Sequence, residues 1–103
     1  MPELVVTTTT RALAAKLKRC TPVFVVAPWG GDKYEYGDGI WEGKDGQLMV
    51  VEGLGSDHPQ CVNCLPAQAF QWLAQHDHHI DIGGEEKART RFLCQIARLL
   101  VIR

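Results

Sequence analysis

The middle of the chain holds histidine and cysteine side chains at a spacing that could bind a metal ion. His58, Cys61 and Cys64 are each separated by two residues, in a polar, turn-rich segment from Gly53 to Pro66. Imidazole and thiolate are the usual ligands of structural zinc sites, which hold four ligands in a tetrahedron. The spacing is compatible with three ligands of a zinc site whose fourth ligand is brought by tertiary folding, although the favoured interpretation needs no cofactor. Zinc is the one cofactor that the sequence suggests.

The same two cysteines fit two other interpretations. Cys64 lies just before a helix predicted to start at Pro66, and a helix N-terminus lowers the pKa of a nearby thiol. Cys61 and Cys64 could thus form a redox pair, although the predicted elements lack the strand–helix–strand setting of Cys-x-x-Cys oxidoreductases. Alternatively, they are two small, half-buried thiols in a loop over the sheet, since reduced cysteine packs like a small hydrophobic side chain.

Aromatic side chains suggest a different kind of site. Five of the eight aromatic residues lie between positions 24 and 41, most of them in a polar loop around Gly30 and Gly31. Tyrosine and tryptophan often anchor protein interfaces, because their rings are apolar while one end stays hydrated. Our candidate partner-binding residues are therefore Trp29, Tyr34, Tyr36 and Trp41. The competing interpretation is that the two tryptophans cap the open end of the sheet.

The pattern of apolar residues predicts the elements that position these side chains. Residues 4–8 are a short β-prone segment, and an amphipathic helix follows up to about Cys20. Residues 23–27 form a continuous apolar run, which is typical of a central strand covered on both faces. Residues 44–46 join two further strands as a hairpin, because Gly46 tolerates a positive φ.

The last predicted helix begins after Gly84 and has two distinct sides. We expect it to pack on the sheet through a broad apolar arc. The residues of this arc are Ala88, Phe92, Leu93, Ile96, Leu99 and Leu100. The opposite side carries a basic stripe made of Lys87, Arg91 and Arg98.

These elements predict an α+β fold. We expect a small, mainly antiparallel sheet of three to four strands, with the N-terminal and C-terminal helices packed on one face and a short third helix. A length of 103 residues indicates a single domain, 1–103. No stretch reaches the roughly 20 apolar residues needed to span a bilayer, so we expect a soluble protein without a membrane partner. The absence of a signal-peptide pattern and of a disulfide framework indicates a cytoplasmic location.

Charge is segregated along the chain, although the formal net charge is only -1. Residues 32–57 carry seven acidic side chains against two lysines, while the first and last helical segments each have an excess of three positive charges. If both helices lie on one face, the molecule has an acidic side and a basic side. The low net charge disfavours nucleic acid as a partner. A nucleic acid would have to bind through Lys87, Arg91 and Arg98.

The sequence favours a non-enzymatic protein-interaction module: an adaptor, an inhibitor or a domain that associates with itself as a homodimer. A single small domain offers no cleft between domains for catalysis, and its aromatic loop suits a protein partner. The first alternative is a zinc-stabilised binding domain that uses His58, Cys61 and Cys64. The second is a thiol-redox protein that uses the two cysteines alone.

Overall fold

The structure, a computed structural model, describes residues 5–7, 10–25, 37–54, 56, 58–76 and 84–101. Eight elements lie within these residues. In chain order they are β1 (Val5–Thr7), α1 (Thr10–Leu17), β2 (Thr21–Val25), β3 (Gly39–Glu42), β4 (Leu48–Glu52), β5 (Gln60–Cys64), α2 (Pro66–His76) and α3 (Glu86–Val101). No helix in the described ranges is both long enough and apolar enough to cross a membrane.

One antiparallel sheet contains all the strands in the described residues, in the order β1-β5-β4-β3-β2. The predicted α+β class is confirmed, as is the hairpin, which joins β3 to β4 through Gly46 at a φ of 84°. The sheet has five strands where we expected three to four. The additional strand is β5, because its polar residues Gln60 and Asn63 concealed it within a segment interpreted as a loop.

The predicted central strand, β2, lies at an edge of the sheet. Its register shifts between Pro22 and Phe24, so Val23 occupies a β-bulge. A β-bulge inserts one extra residue into a strand and turns two consecutive side chains to similar sides. The run of apolar residues in β2 is therefore longer, although the strand is not central. Both faces of β2 are nevertheless covered, since Val23 and Val25 belong to different hydrophobic clusters. The central strand is β4, whose first four residues are buried.

Two hydrophobic cores lie on opposite faces of the sheet. Because successive side chains of a strand point to opposite faces, Leu48 and Val50 pack with α2 and α3, whereas Met49 and Val51 pack with α1. The prediction that the N-terminal and C-terminal helices share one face is therefore wrong. The physical reason is that β4 is apolar on both faces, and each face needs its own helical cover.

Close contacts at the starts of α2 and α3 fix both helices on the sheet. The backbone N–H of Leu65 donates to the Gln68 side chain at 2.8 Å, which caps α2 just before Pro66. The N–H of Glu85 donates to the carbonyl of Pro22 at 2.8 Å, so the chain entering α3 lies on the edge of β2. A side chain at Gly84 would overlap the carbonyl oxygen of Val23, and glycine is therefore required there.

Candidate functional site

The two cysteines of the predicted metal site lie on opposite faces of the sheet. Both belong to β5, three residues apart, so their side chains point in opposite directions. Cys61 is buried in the core beneath α1, and Cys64 is buried in the core beneath α2 and α3. One zinc ion cannot bind both thiols, and the two thiols cannot form a disulfide with each other. The structure therefore does not bring the predicted ligands together.

His58 adds nothing to such a site. It is exposed ahead of β5, while both cysteines are buried. Among the described residues, no group of three or more histidine, cysteine, aspartate or glutamate side chains is placed to hold a metal ion. The spacing was misleading because we assumed a loop, in which two ligands can turn toward the same ion. A strand separates residues i and i+3 onto different faces.

The thiols on the α1 face are not activated. Burial raises the pKa of the Cys61 thiol, and Lys16 opposes this effect only in part. Burial also raises the pKa of Cys20, against the lowering effect of Lys16 and Lys44. A raised pKa favours the neutral thiol, whereas thiol chemistry requires the thiolate. This electrostatic environment does not favour the redox interpretation.

Trp41, one of the four candidate partner-binding residues, is a core residue. Only 1% of its surface is exposed, in the core beneath α1, and its indole N–H donates to the carbonyl of Gly37 at 2.7 Å. A buried and hydrogen-bonded indole cannot contact a partner, so the prediction is wrong at this position. The other three residues, Trp29, Tyr34 and Tyr36, lie outside the described residues.

The basic stripe of α3 does not combine with the cations of α1. The two helices cover opposite faces, so the single basic side that we expected does not form. Within the stripe, Arg91 donates to Glu42 with an Nη2–Oε1 distance of 2.6 Å. This hydrogen bond and the charge of Glu42 raise the pKa of Arg91. Lys87 and Arg98 are exposed.

The exposed surface of α2 and α3, which we call the α2–α3 face, carries large hydrophobic side chains beside the basic stripe of α3. In the described part of the chain, every large hydrophobic side chain that is exposed belongs to these helices or directly precedes them. These side chains, between 41% and 62% exposed, are Leu65, Phe70, Leu93, Leu99 and Leu100. α2 contains no aspartate, glutamate, lysine or arginine. The face therefore combines exposed hydrophobic side chains with a deficit of charge on α2.

The apolar arc of α3 is wider than the surface that the sheet covers. Ala88, Phe92 and Ile96 are buried, as the sequence predicts. Leu93 and Leu100 are seven residues apart with Ala97 between them, a spacing that places all three on a second stripe. This stripe faces solvent, although we expected its leucines to pack on the sheet. The width of the arc and the uncharged sequence of α2 were the signals that could have revealed it.

Comparisons with known proteins do not assign a role to this surface. No family model matches the chain, and neither a curated protein nor a solved structure gives a match. The function is therefore inferred from geometry and surface chemistry alone.

Proposed function

We propose that this protein is an interaction module that associates with a second copy of itself through the α2–α3 face. The observation that carries the proposal is that all the large hydrophobic side chains exposed in the described residues belong to α2 and α3 or directly precede α2. Exposed large hydrophobic side chains gathered on one layer of a protein mark an interaction site more often than scattered ones do. The proposal keeps the class of function that the sequence favours and moves the contact from the aromatic loop to the helices.

The charge pattern of the α2–α3 face supports contact with a protein. The centres of protein interfaces are depleted of charged residues, and their rims are polar. α2 has no acidic residue, lysine or arginine, and residues 92–101 of α3 include only one charged side chain, Arg98. The charged residues of α3 lie mainly in its first two turns, where they would form the rim.

The same charge pattern favours a second copy as the partner. A two-fold symmetric dimer brings the same surface of both copies together, so a charged patch would meet its own charge. α2, which has no acidic residue, lysine or arginine, has no such conflict. The α1 side does, because four cations are exposed there: Arg11, Lys16, Lys18 and Arg19.

The stripe on α3 suits an antiparallel contact with its own copy. In that arrangement Leu93 of one copy packs against Leu100 of the other, and the reverse contact forms by symmetry. Ala97 lies near the two-fold axis, where its small side chain lets the helices approach closely. Phe70 of α2 would enlarge the apolar contact beside the helix pair.

The two helices provide a large part of the surface that a stable dimer needs. α2 has 11 residues and α3 has 16, which correspond to about 16 Å and about 24 Å of helix. Placed side by side at an axial distance of about 9 Å, they offer a surface roughly 20 Å across. A standard interface buries about 800 Å² per partner, which is close to one eighth of the 6690 Å² that the chain exposes.

Sedimentation of the wild type and of Leu93→Glu tests this proposal. We expect the wild type to be a dimer at tens of micromolar and the variant to be a monomer, because two carboxylates would be desolvated near the two-fold axis. Gln95→Glu is the matched control, since it adds a carboxylate to the exposed surface of the same helix outside the stripe. Circular dichroism confirms that both variants remain folded.

Two results would contradict the proposal. The first is a wild type that stays monomeric at several hundred micromolar. The second is a Gln95→Glu variant that dissociates as completely as Leu93→Glu, because the effect would then reflect charge on α3 in general.

The alternative functions lose their structural support, because each requires Cys61 and Cys64 to act together. A zinc site would need ligands from outside the described residues. We further propose that the protein functions in the cytoplasm, where thiols stay reduced. The four cysteines are all free, which supports this location.

A further inference from the structure

A groove on the α1 side of the sheet, opposite the α2–α3 face, has the size and charge of a ligand site. It lies between α1 with its following turn and the β3–β4 hairpin, and its volume is about 590 Å³. Small-molecule sites commonly have volumes of about 300–1,000 Å³. The residues that give the groove its chemistry are Lys16, Arg19, Lys44, Asp45, Met49 and Asn63.

The lining combines exposed cations with a buried apolar side chain. Lys16, Arg19 and Lys44 are exposed, and none of them forms an ion pair with another described residue. The apolar part of the lining consists of Ala15, which is exposed, Cys20, which is partly buried, and Met49, which is only 3% exposed. The one acidic residue, Asp45, accepts a hydrogen bond from the N–H of Gln47 at 3.0 Å and stabilises the hairpin turn. The groove therefore carries a local excess of positive charge beside an apolar surface.

The charges of the groove act on the partly buried Cys20 thiol within it. Burial is the main influence on this thiol and raises its pKa, Lys16 and Lys44 lower it, and Asp45 raises it. Lys16 has the largest effect among these charges. An anion at that point would be attracted by both lysines and repelled by Asp45.

The second large groove of the described residues is less suited to an anion. It lies between α3 and the same hairpin; its cations are Lys44, which lines both grooves, Arg91 and Arg98, and its acidic residues are Glu42 and Asp45. Arg91 is already paired with Glu42 at 2.6 Å. Its charge is therefore compensated within the protein, unlike that of the three cations on the α1 side.

We propose that the groove on the α1 side binds a small phosphate monoester, with the phosphate among Lys16, Arg19 and Lys44 and the organic group against the apolar lining of Ala15, Cys20 and Met49. A phosphate monoester carries a charge of about -1.5 to -2 at pH 7, which matches a site with several cations and one carboxylate. The planar guanidinium of Arg19 can bind two phosphate oxygens at once, while each lysine provides a point charge. The apolar surface distinguishes an ester from inorganic phosphate.

Calorimetric titration of the full chain with phenyl phosphate tests the site. We expect the wild type to bind phenyl phosphate and Lys16→Glu to bind it at least about tenfold more weakly. Arg11→Glu is the matched control, because it makes the same charge change on the same helix outside the groove. We expect it to weaken binding less than about threefold, through long-range charge alone.

Two further titrations probe the phosphate and its ester group separately. Asp45→Asn keeps a side-chain oxygen for the hairpin hydrogen bond and removes the negative charge, so it should bind phenyl phosphate about two- to threefold more tightly. Inorganic phosphate should bind the wild type at least about fivefold more weakly than phenyl phosphate, because it lacks the apolar group.

Three results would overturn this proposal. The first is a wild type that does not bind phenyl phosphate at millimolar concentration. The second is equal weakening by Lys16→Glu and Arg11→Glu, which would indicate a diffuse basic surface. The third is equal affinity for phenyl phosphate and inorganic phosphate, which would exclude a contribution from the apolar lining. None of these results bears on the α2–α3 face, because the two surfaces lie on opposite sides of the sheet.

Discussion

The two faces of the sheet are covered by helices of opposite surface chemistry. On one face α1, only eight residues long, buries Leu13 and Leu17, and exposed cations surround it. On the other face α2 and α3 bury a larger set of side chains and still expose leucines and a phenylalanine. The comparison teaches that a net charge of -1 conceals a basic surface on one side and, on the other, a surface whose α2 part carries no acidic residue, lysine or arginine. We propose anion binding for the first and self-association for the second.

Alternate residues of each strand face opposite surfaces of the molecule. Leu48 and Val50 support the α2–α3 side, and Met49 and Val51 support the α1 side. The cysteines of β5 follow the same alternation. A substitution can therefore be directed to one face while the other keeps its packing, and this makes the comparison experimentally accessible.

The largest expected effect is on the free energy of unfolding, and it distinguishes the buried stripe of α3 from its exposed stripe. Phe92 is 1% exposed and meets the ring of Phe24 edge-on at 6.0 Å, so Phe92→Ala should lower the free energy of unfolding by about 3–5 kcal/mol. Leu93 is 47% exposed, and Leu93→Ala should cost less than about 1 kcal/mol when dilution keeps the protein monomeric. Urea denaturation at submicromolar concentration measures both values. A loss for Leu93→Ala as large as that for Phe92→Ala would place Leu93 in the core and remove the proposed interface.

The second prediction concerns the close contact between the start of α3 and the edge strand β2. Gly84→Ala forces the chain away from the carbonyl of Val23 and should destabilise the protein by about 2–3 kcal/mol. Gly46→Ala is the control for an added methyl group without a clash, because no atom lies within 4 Å of the added carbon; unlike Gly84, Gly46 has a positive φ. It should cost only about 1 kcal/mol, from backbone strain alone. Equal losses in thermal or urea denaturation would show that the close approach at Gly84 is not needed.

The smallest effect concerns the thiol beneath α1. Burial raises the pKa of Cys61, so the folded state favours the neutral thiol more than the unfolded state does. The free energy of unfolding should therefore be unaffected by this group below the usual thiol pKa of 9.0 and fall as the pH rises above it. Cys61→Ala should show a shallower fall between pH 8 and pH 10 than the wild type. Identical pH profiles would show that Cys61 does not titrate as its burial requires.

Most elements were predictable from the sequence because their signals are local. The hairpin at Gly46, the start of α2 at Pro66 and the start of α3 after Gly84 depend on residues at those positions. The sequence does not reveal β5, because the strand is held by backbone pairing with β1 and β4. These backbone hydrogen bonds form without an apolar pattern of side chains. Polar residues such as Gln60 and Asn63 then resemble a loop.

The assignment of helices to faces was not predictable from local patterns. Helical periodicity shows that a helix has an apolar side but not which face of the sheet that side meets. The same limit applies to the candidate site. The distance between the Cys61 and Cys64 thiols depends on whether the segment is a strand, and the exposure of Leu93 depends on where α3 crosses the sheet. Both are tertiary properties.

The most direct test of the central claim is to follow backbone amide chemical shifts of the wild type by NMR as its concentration is raised from micromolar to millimolar. The account predicts that the shifts of α2 and α3 change together, with the largest changes near Phe70, Leu93 and Leu100, while those of α1 stay constant. Changes centred on α1, or no concentration dependence anywhere on α2 and α3, would contradict self-association through the α2–α3 face.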